Sequence, residues 1–375
     1  MKELNIDEEW IVIFLQAPRS IASFLLIPLA YKSDILGKKQ LGKSGNIAQF
    51  LAILVFCAIP FFPSNHMPVM LLAILIFSLG TALFGGSWFA LLEPLIDPSQ
   101  RATFFSRLRI SWQVVGLVFT WGTMKWITVE KKMQTYQWIL LIAAALVLVR
   151  LYCYHKIPDL EPNRPKPKSF KELLRLLSHT KGFVWFNIYS FLVYFSASNV
   201  ISLFNLEQKT AFHFPNETVI TMGMIYLMGS VTGFYLGGKL TNKMGTTAIF
   251  NLFNFSMALL LMAMSFHHHV PLSNKLLMAL ATFIFGLLFS AHSIGHIVAM
   301  FSRLPKEFKS VATASCVTVT AVATGLSSFV TAGLLKFGLS YGSMNTYQSI
   351  LFIYALILFV VAFVFLIKPC HPNKD

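Results

Sequence analysis

Apolar stretches of about twenty residues, following one another from residue 10 to residue 367, constrain this chain more than any other feature. That is the length an α-helix needs to cross a hydrocarbon core roughly 30 Å thick. Eleven such runs can be marked, at 10–31, 47–62, 69–92, 105–129, 136–154, 183–204, 219–238, 247–266, 276–301, 310–337 and 347–367. In lipid the backbone must satisfy its own hydrogen bonds, and a helix does so within each segment. A transmembrane β-barrel would show short alternating segments instead, which this sequence lacks. Composition agrees: 56% of residues are hydrophobic and 12% charged, against roughly 25% charged in soluble domains. The sequence therefore predicts an all-α membrane protein with about eleven transmembrane helices.

The net charge of +15 suits nucleic acid only until the cations are placed. If 32–45 is cytoplasmic and sides alternate, most of the 30 lysines and arginines fall on that side, in 32–45, 101–109, 150–181, 239–243, 303–309 and 368–374. This is the positive-inside asymmetry. It accounts for the charge through the bilayer rather than through nucleic acid. It sets the N-terminus outside and the C-terminus in the cytoplasm, in a multi-pass protein of the cell membrane (the inner membrane if the source is bacterial). Cys57, Cys153, Cys316 and Cys370 are scattered, without the spacing of a disulfide framework or a zinc site. The start, MKELNIDEEW, is acidic and does not read as a signal peptide. No phosphate-binding Gly-x-x-x-x-Gly-Lys-Ser/Thr loop occurs, and no cofactor or metal is implied.

Two landmarks repeat at offsets one residue apart. Asp34 and Gly37 align with Asn242 and Gly245, 208 positions on, and Pro98 aligns with Pro305, 207 positions on. Six spans fit within that offset, so the copies face the same way across the bilayer, as parallel pseudo-repeats. The expected organisation is an N-terminal bundle over 1–155, a cytoplasmic linker over 156–181 and a C-terminal bundle over 182–375. The linker begins Pro-rich. It then predicts a short amphipathic helix, with Ser169 and Glu172 as a capping box and Phe170, Leu173, Leu174 and Leu177 on the face toward the membrane interface. The same pattern also suits a solvated linker helix.

The loop Ala30-Tyr31-Lys32-Ser33-Asp34-Ile35-Leu36-Gly37-Lys38-Lys39 and its echo Gly238-Lys239-Leu240-Thr241-Asn242-Lys243-Met244-Gly245 resemble the signature between spans two and three of the major facilitator superfamily of secondary transporters. The basic segment 101–109 resembles the loop before span five of many members. Ala30, Ile35 and Asn242 depart from the family pattern. The resemblance implies two bundles rocking about a central site. It implies a gate formed by Asp34, Gly37, Lys38, Lys39 and Arg101, and by Asn242 and Gly245 in the second copy. Asp34 would latch onto a cation or a helix N-terminus of the other half. The resemblance implies that these eleven spans run from two to twelve of the family plan, with the first lacking, through either a misassigned start or a true truncation.

Intramembrane polar residues give the candidate solute site. Arg19, beside Gln16, lies near the middle of its run, where a guanidinium must face protein or water. His292 and His296 stand one helical turn apart. Trp88, Tyr189, Tyr194 and Asn199 could orient a ligand, and helix packing explains each of them equally well. Metal binding by the two histidines lacks acid or thiol partners, and so does an intramembrane enzyme. The run His267–His269 reads as a solvated outer loop. No acid lies mid-span: Glu93, Glu207 and Glu217 sit at span ends. Intramembrane cations without acids lean toward a small anionic organic solute, with a co-transported proton or ion left open. Multidrug or metabolite efflux is the alternative within transport. A non-transporting protein (assembly factor, sensor or truncated remnant) is the alternative outside it.

Overall fold

The computed structural model describes residues 18, 20–36, 38–62, 66–130, 132–158, 169–267, 273–305, 307–340, 342 and 344–367. Among them all regular structure is helical. The helices are α1 (Leu26–Leu36), α2 (Lys38–Ala58), α3 (His66–Leu92), α4 (Arg101–Val129), α5 (Met133–Lys156), α6 (Phe170–His179), α7 (Phe183–Ala197), α8 (Val200–Thr210), α9 (Asn216–Ser265), α10 (Asn274–Phe301), α11 (Lys309–Lys336) and α12 (Thr346–Ile367). Eight helical segments among the described residues are long and apolar enough to cross a membrane. One of these joins α7 and α8. Another is the 50-residue α9, which at 1.5 Å per residue is about 75 Å long and too long for one crossing. It breaks at Gly245, whose φ of 78° and ψ of 168° are not helical. A side chain rarely tolerates that backbone, so the glycine expected in the second loop is the point where two spans part.

The packing shows the pseudo-symmetry. α1 lies against α11, and α4 lies against the first limb of α9. The sequence repeat maps α1 onto that limb and α4 onto α11. The two seams between the halves are therefore the same contact made twice with the partners exchanged. Leu26 and Ala30 meet Ala314 in the first seam, where small side chains let two backbones approach. Within the C-terminal half, Gly229, Gly233 and Gly237 recur every fourth residue and face the backbone of α10 at Phe283, Leu287 and Ala291.

Helix α6 forms with both bonds of its capping box, Glu172 N–H to Ser169 Oγ at 3.3 Å and Ser169 N–H to Glu172 Oε2 at 2.7 Å. Its apolar face differs from expectation. Leu173 and Leu177 are buried in the main core instead of facing the membrane interface. A hydrophobic stripe specifies burial, and here protein covers it. α12 is half covered too. Ile350, Leu351, Tyr354, Ala355, Leu358 and Val361 are buried, while Leu356, Val360 and Phe363 are exposed. A helix apolar on every side carries no mark of which side meets a neighbour.

Candidate functional site

The seams converge at one end of the molecule. Asp34, at the C-terminal end of α1, is buried. Its Oδ1 accepts from the Ser310 N–H at 3.2 Å and its Oδ2 from the Val311 N–H at 3.1 Å. These are free amides in the first turn of α11, where the helix dipole also favours an anion. The repeat-related contact joins the other seam: Asn242 Nδ2 donates to Thr103 Oγ1 at 3.0 Å, in the first turn of α4. An amide stands where the first copy has a carboxylate, so that latch is the uncharged one.

Around Asp34 the halves are tied further. Tyr31 stacks on Phe308, ring centroids 6.0 Å apart. Phe308 holds a φ of 54° just before α11, a strained conformation for a bulky side chain. Glu93 bonds Lys309 across the seam at 2.6 Å and Arg101 within its own half at 2.9 Å. Arg101 lies over the Phe301 ring of the other half at 5.1 Å, and Phe105 stacks on the same ring at 5.5 Å. Asp97 caps the turn that delivers Arg101. The side-chain hydrogen bond from Ser99 holds its carboxyl below the usual carboxylate range. Of the expected gate residues, Asp34, Asn242 and Arg101 lie in the seams and Gly245 is the break in α9. Lys39 is half-exposed. Gly37 and the Lys38 side chain lie outside what is described. Sequence reasoning missed Glu93, Lys309, Ser310 and Thr103 as gate partners. Carrying the repeat through to the starts of α4 and α11 points to Thr103 and Ser310. The Glu93–Lys309 pair is partly exposed, so it contributes about 1 kcal/mol or less. Lys309→Met should loosen the closed end by up to about fivefold and Lys309→Arg should keep it closed, read as solvent accessibility of a cysteine at position 31.

The expected solute residues fall into separate groups. Tyr189 is fully buried and stacks on Phe250 with centroids 4.5 Å apart. Its hydroxyl accepts from Asn254 Nδ2 at 2.8 Å and lies 2.7 Å from His292 Nε2. The phenol thus joins the Asn254 amide to the His292 ring in one chain of hydrogen bonds. Ser190 gives its proton to the Phe186 carbonyl at 2.8 Å and so accepts from His296 Nε2 at 2.8 Å. Tyr194 meets the His296 ring edge-on at 5.3 Å. Tyr189, Tyr194, His292 and His296 thus form one buried polar and aromatic cluster between α7, α9 and α10. Arg303 borders it: fully buried, it lies over Phe186 at 5.4 Å and donates to the Ala299 carbonyl at 2.7 Å.

Asn199 points elsewhere. At the break between α7 and α8 it donates to Ser327 at 2.8 Å and accepts from Ser328 at 3.2 Å, clamping α11. Trp88 sits in the other half, stacked on Phe84 at 5.3 Å and near Trp112 and Tyr154. Its buried Nε1 has no hydrogen-bond partner among the described residues. Gln16 and Arg19 lie outside the described residues. Arg150 was read only as one more cytoplasmic cation. It donates to Asn46 Oδ1 at 2.6 Å and to Gln49 Oε1, with Phe84 4.7 Å beneath it.

Comparison with known proteins follows the same architecture. No curated protein matches the sequence. Solved structures match along nearly the whole chain. The proton:xylose symporter XylE with bound 6-bromo-6-deoxy-D-glucose superposes with a TM-score of 0.79 at 16% identity, covering 99% of this chain and 89% of its own. The human organic anion transporter MFSD10 gives 0.75 at 15% identity, covering 94% and 82%. A bacterial homologue of the iron transporter ferroportin, outward-facing, gives 0.71 at 14% identity, covering 97% and 90%. These likenesses show the fold alone, and the differing cargoes of those proteins leave the solute class open. The sequence model of the Major Facilitator Superfamily matches residues 10–328, and with two like-oriented bundles meeting at paired seams, the chain belongs to that superfamily.

Proposed function

We propose that this protein carries a small anionic organic solute across a cell membrane by alternating access. A bundle ending near residue 155 rocks against one beginning near residue 182, with 156–181 as the strap. The observation that carries this reading is the Asp34 latch. A buried carboxylate of one half holds two backbone amides of the other, at 3.2 and 3.1 Å, at the end the cation distribution assigns to the cytoplasm. The contact closes that end and can release as a unit, which is the bistable element a rocking transporter needs. Gating falls to Asp34, Asn242 and Arg101 at the seams, with Gly37, Lys38, Lys39 and Gly245 in the adjoining loops. Solute binding falls to Tyr189, Tyr194, His292 and His296, with Gln16, Arg19 and Trp88 from the other half, while Asn199 clamps α11 instead.

The preference for an anion rests on Arg19, read from the sequence as an intramembrane cation without an acid, and on Arg150. Arg150 has amide oxygens, not acids, as its hydrogen-bond partners, and neutral amides leave the positive field of a guanidinium uncancelled. The test is uptake by proteoliposomes against a panel of organic anions, sugars and cationic drugs. The expected result is uptake confined to anions, with about a tenfold loss for Arg19→Gln and a smaller loss for Arg150→Gln. Uptake of sugars or cations alone overturns the anion assignment, and so does anion uptake that Arg19→Gln leaves intact.

A further inference from the structure

Glu207 and His267 look like rim residues in sequence, one at a span end and the other in a loop. The structure buries both, Glu207 completely and His267 to 5% exposure. His267 Nε2 faces Glu207 Oε1 at 3.9 Å. The Asn345 amide reaches the same oxygen at 3.4 Å. Glu207 Oε2 and both ends of the adjacent buried Gln208 amide have no hydrogen-bond partner among the described residues. His267 Nδ1 lies 2.9 Å from the Met264 carbonyl, and Nε2 is the ring nitrogen turned toward the carboxylate. The Gln348 amide lies 3.0 Å from Nδ1, and Phe212 meets the ring edge-on. The site thus ties together the ends of α8, α9 and α12 remote from the Asp34 latch.

We propose that Glu207 and His267 form a proton-binding site that opens this far end of the C-terminal half when it takes up a second proton. With one proton between them the pair is neutral overall, as carboxylate and imidazolium or as carboxyl and imidazole. That is the only occupancy a dry site holds cheaply. A second proton, arriving from the adjacent water, leaves one net positive charge. Among the described residues, no acid on the packed helices offsets it. Lys209 of α8 donates to the Phe214 carbonyl. His213, Glu217 of α9 and Lys275 of α10 are exposed. Tyr347 of α12 exchanges a hydrogen bond with Thr210. Water must then reach the pair, and α8 and α12 part to admit it. Glu207 Oε2 and Gln208, already without partners, gain solvent in that opening, which lowers its cost. The site rests on the transporter fold and not on the nature of the solute.

Hydrogen exchange of the purified protein in lipid nanodiscs, corrected for the intrinsic pH dependence of exchange, needs no solute and tests the site alone. Between pH 7.5 and 5.5 the amides of 208–214 and 345–349 should open more in the wild type, by up to about tenfold per pH unit for a one-proton event. In Glu207→Gln/His267→Gln the profile should be flat. His267→Gln alone should reverse the sign: its carboxylate has lost its partner, so protonation neutralises it and acid closes the site. A flat wild-type profile overturns the proposal, as does an unchanged slope in the double variant or acid-driven opening in His267→Gln. Sugar uptake by the same protein would sink the anion reading and leave this result standing.

Discussion

Asp34→Ala should open the latched end of this protein about 30- to 100-fold more often than the wild type. The side chain is buried against the first turn of α11 and accepts from Ser310 and Val311. Hydrogen bonds to a charged acceptor contribute about 1.5–3 kcal/mol each, and an anion at a helix N-terminus up to about 2 kcal/mol. These overlap, so a loss of about 2–3 kcal/mol is the reasonable total, and about 1.4 kcal/mol is tenfold. Asp34→Asn keeps an acceptor but loses the charge, so it should fall between. Solvent accessibility of a cysteine at position 31 reads the change, because Tyr31 packs on Phe308 across the seam and is uncovered when the seam parts. Equal accessibility with Asp34 and with Asp34→Ala would mean that the other contacts of the seam hold it alone.

Gly233→Val should prevent the C-terminal half from packing. A Cβ at Gly233 would lie 2.1 Å from the Leu287 carbonyl oxygen, and one at Gly229 would lie 2.1 Å from that of Phe283. Neither obstacle is a flexible side-chain tip. The whole of α9 must move off α10, exposing a contact that runs over two turns. Overpacking against movable neighbours costs about 1–3 kcal/mol, and backbone against backbone should exceed it. The expected result is a fall of about 10 °C or more in the unfolding midpoint, or failure to accumulate in the membrane. Gly223→Val is the control: it lies on the same helix, and a Cβ there meets nothing within 4 Å. Its effect should be far smaller in thermal unfolding of the detergent-solubilised protein.

The apolar spans and the parallel repeat were legible because each leaves a mark in local composition; of the eleven runs marked, eight helical segments among the described residues are long and apolar enough to cross a membrane. Also legible were the capping box of α6 and the pairing of Asp34 with a helix N-terminus, the latter through family resemblance. What escaped the sequence shares one cause. Lys309 and Arg303 both read as cytoplasmic cations, yet one spans the seam to Glu93 and the other is wholly buried over Phe186. Charge near a span end sets topology whether the side chain is solvated or enclosed. Glu207 and His267 were misjudged for the same reason, since span ends are wet only where no neighbouring helix covers them. Asn199 read as a ligand residue because amides orient ligands in pockets, but Ser327 and Ser328 on α11 hold it. The row of Gly229, Gly233 and Gly237 was visible as a spacing, while the helix it receives was not.

Distances between spin labels at both ends of a cysteine-free background test the central claim of two bundles rocking about a fixed site. One pair, at Lys39 and Lys243, spans the halves at the latched end. The other, at Val129 and Phe337, both exposed at the far ends of α4 and α11, spans them at the opposite end. Asp34→Ala should lengthen the first distance and shorten the second. Lengthening of both, or no change at the first when the latch is removed, would contradict the account.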